Sequence, residues 1–164
     1  MKKNIKAVLN PILKSAAIIF MFTGCTLSVK KEDKDALKLE GTWELLSGTT
    51  IVKDDTTFTD YTKDQRMIKI INATHFAFVK HDLNKGKDST ANFDAGAGTY
   101  TLSGDQYTEY LDYCNYREWE GQVFQFTMQL QNDTLTQTGR EKVEAAGVDR
   151  IIIEKYVKAK PQSM

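Results

Sequence analysis

The amino-acid sequence predicts an all-β protein, an eight-stranded antiparallel up-and-down barrel that follows a signal peptide and a polar tether. Eight short segments alternate apolar and polar residues, as strands with one buried face do. Several successive segments are joined by tight-turn pairs, so neighbours in sequence are expected to pair in space. The two prolines, Pro11 and Pro161, lie outside these segments, which suits a sheet whose strands all pair on both sides.

The beginning of the chain has the composition of a secretory signal. Four lysines precede a run of seven apolar residues at 16–22, and the first acidic residue is Glu32. Seven residues are too few to cross a membrane, which takes about 20. A charged stretch, a short apolar stretch and a small residue before a cleavage site are typical of a signal peptide. We therefore predict a signal peptide at 1–24.

The predicted cleavage site carries a second pattern. Phe22-Thr23-Gly24-Cys25 resembles the lipobox of bacterial lipoproteins, and the resemblance implies lipidation of Cys25. Several acyl chains give stable membrane anchoring because each buried methylene contributes roughly 0.8 kcal/mol. The alternative is an ordinary cleaved signal with a chance cysteine. Residues 25–38 are polar and are predicted to be a flexible tether.

Composition limits the partners of the mature chain. Cleavage before Cys25 would remove four lysines and no acid, so a chain with 22 basic and 22 acidic residues would acquire a net charge of −4. Nucleic-acid binding takes clustered basic residues, so no nucleic-acid partner is predicted. Residues 39–158 are long enough for one domain with a modest core, and 159–164 form a tail.

The strands follow in order along this domain. They are predicted at 41–52, 65–72, 74–81, 96–103, 106–114, 121–131, 134–140 and 148–158. Asn72-Ala73, Gly104-Asp105 and Asn132-Asp133 supply turn residues between them. Short helices over one barrel end are possible within 53–65 and 141–146. A two-sheet sandwich is the alternative architecture.

Parity along the strands predicts the side chains that face the interior. These are Trp43, Leu45, Ile68, Ile70, Phe76, Phe78, Tyr100, Leu102, Phe124, Phe126, Met128 and Leu130. An eight-stranded barrel is just wide enough to be filled by side chains or to hold one small ligand. We expect mostly core residues here, and we predict ligand contacts for Phe76, Phe78, Tyr100, Tyr107, Phe124, Phe126 and Met128.

Three segments look like parts of the lipocalin-like domain of Gram-negative bacterial lipoproteins, a largely uncharacterised family. They are Gly41-Thr42-Trp43, Thr74-His75-Phe76 and residues 96–102. The resemblance implies that Gly41 and Trp43 close one end of the barrel, with a basic side chain from near the last strand packed over the indole. Arg150 or Lys155 could supply that side chain, and we assign Arg150. The resemblance also implies an outer-membrane lipoprotein of the cell envelope, facing the periplasm or the cell surface.

Catalytic and metal-binding patterns are not found. The sequence contains no nucleophile-elbow, zinc-protease or phosphate-loop motif, so no enzyme activity and no cofactor are predicted. His75 and His81 lie at the two ends of one strand, about 20 Å apart, and the acids of loop 82–95 lack EF-hand spacing. An inward-facing His75 that ligates heme iron is an alternative. Cys114 is interpreted as a buried free thiol.

The sequence thus predicts a lipid-anchored, non-enzymatic envelope protein that binds a small hydrophobic or amphipathic molecule. The alternative is a filled barrel that acts as a scaffold for an envelope protein partner. In that case residues 115–119, which combine Tyr, Arg and Trp, would dock the partner, because these residue types dominate binding hot spots.

Overall fold

A computed structural model describes residues 37–160 as a chain that is almost entirely β-strand. The predicted signal peptide, Cys25, residues 25–36 of the tether and residues 161–164 lie outside the described residues. The strands are β1 Gly41–Val52, β2 Asp55–Asp60, β3 Gln65–Ile71, β4 His75–Asp82, β5 Phe93–Ser103, β6 Gln106–Cys114, β7 Gln122–Gln131, β8 Thr134–Val143 and β9 Val148–Lys158. Single 3₁₀ turns at Arg117–Trp119 and Glu144–Ala146 join β6 to β7 and β8 to β9. Within 37–160 no helix is long and apolar enough to span a membrane.

Eight of the strands close into an antiparallel barrel, which confirms the predicted architecture and excludes the sandwich. Each strand from β3 to β8 pairs with the next one along the chain, and β1 completes the ring by pairing with β3 and with β9. In the closing pair, Leu45 lies opposite Tyr156, and a β-bulge follows between Leu45 and Ser47. Bulges increase local twist and bend, which helps a sheet curl back on itself.

The ninth strand, β2, was not expected. It pairs with the second half of β1 across a turn in which Lys53 adopts a positive φ of 55°. The helix considered within 53–65 is therefore wrong, because Thr and Phe dominate 56–59 and favour an extended backbone. Within 141–146, β8 continues to Val143 and only Glu144–Ala146 forms a helical turn.

The apolar core runs through the barrel interior, and the end where β1 begins and β9 finishes is called here the closed end. The fully buried members of the core include Trp43, Leu45, Ile71, Phe76, Tyr107, Met128, Leu135 and Tyr156. Trp43 donates its indole N–H to the carbonyl oxygen of Leu39 at 2.7 Å, so its polar atom is satisfied within the core. Burial of each large apolar side chain contributes roughly 1.5–3 kcal/mol to stability.

Three side chains predicted to face inward do not join the core. Ile68 and Ile70 are 36% and 45% exposed, while Met67, Lys69 and Ile71 of the same strand point into the barrel. The prediction for β3 failed because both of its faces carry isoleucine and parity alone could not choose between them. Leu130 is 38% exposed because it lies beside the Asn132-Asp133 turn at the rim.

Candidate functional site

A cavity of about 170 Å³ occupies the half of the barrel opposite the closed end. It opens where β4, β6 and β8 finish, and we call this the open end. The side chains that line it are Tyr61, Met67, Lys69, Phe78, Lys80, Asp94, Glu109, Cys114, Asn115, Tyr116, Trp119, Gln137, Glu141, Arg150, Glu154 and Tyr156. The cavity therefore has a core beneath it and a ring of loops and strand ends around its mouth.

The floor of the cavity is a buried charged group centred on Lys69. The Lys69 ammonium lies 2.5 Å from Glu109 Oε1 and donates to Gln137 Oε1 at 2.7 Å. The side chains of Lys69 and Glu109 are only 3% and 8% exposed. Charges this deep persist only when they are paired and hydrogen-bonded, so Lys69, Glu109 and Gln137 form one interdependent group.

Aromatic rings surround the same ammonium. Lys69 Nζ lies between 5.5 and 6.0 Å from the ring centres of Phe76, Tyr107, Phe126 and Tyr156. A cation within about 6 Å of a ring face is attracted by the ring quadrupole. The rings therefore stabilise the buried ammonium by contact, and they lie between the cavity and the closed end.

Glu154 is the second carboxylate of the floor. It accepts a hydrogen bond from the Tyr156 hydroxyl at 2.6 Å. Burial raises the pKa of Glu154, and the nearby Lys69 charge and the Tyr156 hydrogen bond offset only part of that rise. Burial also raises the pKa of Tyr156 well above its usual value. Both directions indicate an environment of low polarity, in which the protonated forms are favoured.

The walls above the floor are largely apolar. Tyr61, Met67, Phe78 and Cys114 are half-buried and pack against the core. Burial raises the pKa of the Tyr61 hydroxyl and of the Cys114 thiol. Gly96 makes room for Phe78, since a Cβ at that position would lie 2.6 Å from the Phe78 ring.

Ion pairs and Trp119 frame the mouth. The Arg150 guanidinium lies 5.6 Å from the centre of the Trp119 ring and donates from Nε to Glu141 Oε2 at 2.6 Å. Trp119 also packs against Phe124, with ring centres 5.7 Å apart. On the other side, Lys80 pairs with Asp94. Trp119 is thus half-buried by contacts within the barrel, and only part of its side chain is available to a binding partner.

The remaining residues of segment 115–119 are more exposed. Tyr116 is 51% exposed, although its hydroxyl donates to Asp94 Oδ1 at 2.7 Å. The Arg117 side chain is 82% exposed and lies 2.9 Å from Glu120 Oε2. A partner that docks on this segment would therefore contact mainly Tyr116 and Arg117, and Trp119 to a smaller extent.

The predicted ligand contacts are divided between cavity and core. Phe78 lines the cavity. Phe76, Tyr107, Phe124, Phe126 and Met128 are buried in the core instead. Tyr100 belongs to the closed end, where its hydroxyl donates to the carbonyl oxygen of Asn72 at 2.8 Å.

Sequence reasoning missed the charged floor. Lys69 lies in an apolar strand and looked like the exposed member of an alternating pattern. Its partners come from β6 and β8, and Gln137 is 68 residues away, so no local spacing indicates the group. The one available signal was Glu109, an acid that shares a face with Tyr107 and Leu111 on β6.

The barrel closure at Trp43 uses a basic side chain other than the predicted one. Lys158 Nζ lies 4.1 Å from the centre of the Trp43 ring, whereas Arg150 covers Trp119 at the opposite end. The prediction of Arg150 at Trp43 is wrong because Arg150 is eight residues upstream on β9 and therefore at the open end. Gly41 is required by its φ of 132°, and a Cβ there would also displace the Lys158 ammonium, which lies 2.5 Å from that position.

The histidines and the acidic loop contribute no metal site in the described part of the chain. His75 and His81 are both exposed. No group of three or more His, Cys, Asp or Glu side chains within 37–160 is placed to hold a metal ion. Asp82 instead organises the loop, since its carboxylate accepts the backbone N–H groups of Gly86 and Asn92.

The chain is similar to the crystal structure of an uncharacterized protein from Bacteroides eggerthii, with 11% sequence identity and a TM-score of 0.42. The match covers 73% of this chain and 98% of that chain. No family model and no curated protein matches the chain.

Proposed function

We propose that the protein binds one small amphipathic molecule in the cavity at the open end of its barrel and does so without transforming it. The observation that carries the proposal is the cavity itself, about 170 Å³ between apolar walls and a polar floor. Binding sites of this kind combine apolar area with a few fixed polar groups that orient the ligand. The apolar part of the molecule would lie against Met67 and Phe78, and its polar part would reach the floor.

The size of the cavity restricts the ligand. A cavity of roughly 150 Å³ in another protein accepts benzene, so the part of a ligand that is enclosed here is about one ring with a short substituent. Long-chain lipids and large planar cofactors do not fit in a space of about 170 Å³. We therefore narrow the enclosed part of the ligand to about ten non-hydrogen atoms.

Native mass spectrometry of the full chain, purified from its own host, tests this function. We expect one small molecule bound at a ratio of one to one. Cys114, a half-buried wall residue, offers a matched pair of variants: Cys114→Phe should fill the cavity and abolish binding, and Cys114→Ser should retain it. A wild-type protein that carries no molecule, or one whose bound molecule survives Cys114→Phe, would contradict the proposal.

We also propose that Cys25 anchors the barrel to the bacterial envelope. The support is the lipobox-like segment 22–25 after a short apolar run. Replacement of Cys25 by Ser should remove the acyl mass from the protein and release the chain from the membrane fraction. Unchanged mass and unchanged fractionation of the Cys25→Ser variant would refute the anchor and leave the cavity proposal intact.

A further inference from the structure

One acidic side chain that lines the cavity has no ion-pair partner among the residues that the structure describes. Four carboxyl groups lie there, on Asp94, Glu109, Glu141 and Glu154, together with three basic side chains, on Lys69, Lys80 and Arg150. Each basic side chain is already paired with one carboxylate: Lys69 with Glu109, Lys80 with Asp94 and Arg150 with Glu141. Among residues 37–160, no cation forms an ion pair with Glu154.

Neutral hydrogen-bond donors also do little to offset the cost of burying a charge on Glu154. The hydrogen bond that it accepts is the one from the Tyr156 hydroxyl. The Lys69 charge acts on Glu154 from a distance, but the contacts of its ammonium are with Glu109 and Gln137. A carboxylate in such a place gains most from a ligand that brings its own positive charge.

The cavity carries a second feature suited to a cation. Five aromatic side chains line it, namely Tyr61, Phe78, Tyr116, Trp119 and Tyr156. Aromatic walls around a carboxylate favour organic ammonium groups, because ring faces attract cations while the rings also bury the apolar part of the ligand. An anionic ligand would meet no basic side chain that lacks a carboxylate partner.

We infer that the cavity selects a small organic cation, a primary amine on one ring or short apolar body, and that Glu154 is its counter-ion. This inference rests on the proposed function, since it names the class of molecule that the same cavity takes. The ammonium of the ligand would supply the ion-pair partner that Glu154 lacks, and the ring of the ligand would lie between the aromatic and apolar walls.

Three probes of nearly equal size separate the possibilities: benzylamine, benzyl alcohol and benzoate. Calorimetric titration of the full chain at neutral pH should show benzylamine binding at least about tenfold more tightly than benzyl alcohol, which corresponds to roughly 1.4 kcal/mol. Benzoate should bind more weakly than either. Glu154→Gln should remove the preference for the amine and leave the affinity for benzyl alcohol nearly unchanged.

Glu144→Gln is the matched control. It removes the same charge from an exposed position outside the cavity, where Glu144 pairs with Lys142, and it should leave the preference for benzylamine intact. Equal binding of the amine and the alcohol, or tighter binding of benzoate, overturns the inference and leaves the proposed function standing. If none of the three probes binds, both the inference and the proposed function fail.

Discussion

The Lys158 ammonium lies 4.1 Å from the centre of the Trp43 indole ring and donates to the carbonyl oxygen of Glu40. The first and last strands of the ring therefore meet at a cation that covers a buried ring, in addition to their backbone hydrogen bonds. Trp43 is only 1% exposed, and the Lys158 side chain covers its ring at the closed end. A cation over an indole contributes about 0.5–2 kcal/mol, most when water is excluded.

Removal of that cation should destabilise the barrel. We expect Lys158→Met to lower the free energy of unfolding by roughly 1–2 kcal/mol. Lys155→Met is the matched control, because Lys155 is an exposed lysine of the same strand, and it should change stability by less than about 0.5 kcal/mol. Urea unfolding measures both. Equal losses in the two variants would show that Lys158 has no special role.

The charged floor should behave as a unit. Lys69→Met leaves Glu109 buried without its cation and is expected to cost about 3–5 kcal/mol. The double variant Lys69→Met with Glu109→Gln removes both charges and should recover a large part of that loss. A double-mutant cycle by chemical denaturation measures the coupling. Additive losses would mean that the two side chains do not depend on each other.

The raised pKa of Glu154 should make the free energy of unfolding depend on pH. Its pKa is raised in the folded protein above an ordinary value of 4.5, chiefly by burial. The folded state then binds the proton more tightly than the unfolded state, so the contribution of Glu154 to stability falls as pH rises from about 4.5 through the folded pKa. Lys69, Tyr156, Glu141 and Glu109 face it and act on the same titration.

The difference between wild type and Glu154→Gln isolates this effect, because other titrating groups cancel. Over pH 4 to 8 the variant should gain stability relative to wild type as pH rises. Urea midpoints at several pH values measure the difference. A difference that stays constant, or that changes in the opposite direction, would show that burial does not penalise the Glu154 charge.

Gly98 should not tolerate a methyl group, because among the described glycines an added Cβ would make its shortest contact there. A Cβ on Gly98 would lie 1.8 Å from the Tyr110 carbonyl oxygen, next to the bulge between β5 and β6. Gly98→Ala should therefore cost about 3 kcal/mol or more. Gly86→Ala is the control, since Gly86 has a positive φ of 68° and open space around it, and it should cost about 1–2 kcal/mol. Thermal unfolding measures the loss of stability in both variants, which comes from a steric clash in Gly98→Ala and from backbone strain alone in Gly86→Ala.

The parts of the fold that depend on local patterns could be predicted from the sequence. Alternation in β7 placed Phe124, Phe126 and Met128 inside the barrel, where they are buried. The turn at Asn132-Asp133 was also predicted, and both residues adopt the positive φ that such turns need. In these segments one local rule, the period of the strand or the chemistry of the turn, decides most of the structure; the exception is Leu130 at the end of β7, which reaches the rim.

The candidate site could not be predicted in the same way. Its central residue, Lys69, faces inward because partners on β6 and β8 compensate its charge, and that compensation exists only after the barrel closes. The wall residue Tyr61 directly follows Asp60, the last residue of the unexpected strand β2. The pairing of β2 with β1 therefore sets the position from which Tyr61 lines the cavity. Long-range pairing thus decided the chemistry of the cavity, while local sequence decided the strands around it.

The central claim, one small molecule inside the open half of the barrel, is tested most directly by methyl NMR. Two methionines of the described chain report on its two halves: Met67 lines the cavity and Met128 is buried in the core. In full-length protein labelled at the methionine methyls and titrated with benzylamine, the Met67 signal should shift to saturation while the Met128 signal stays in place. A Met67 signal that does not respond, or a response confined to other methionines, would contradict the claim.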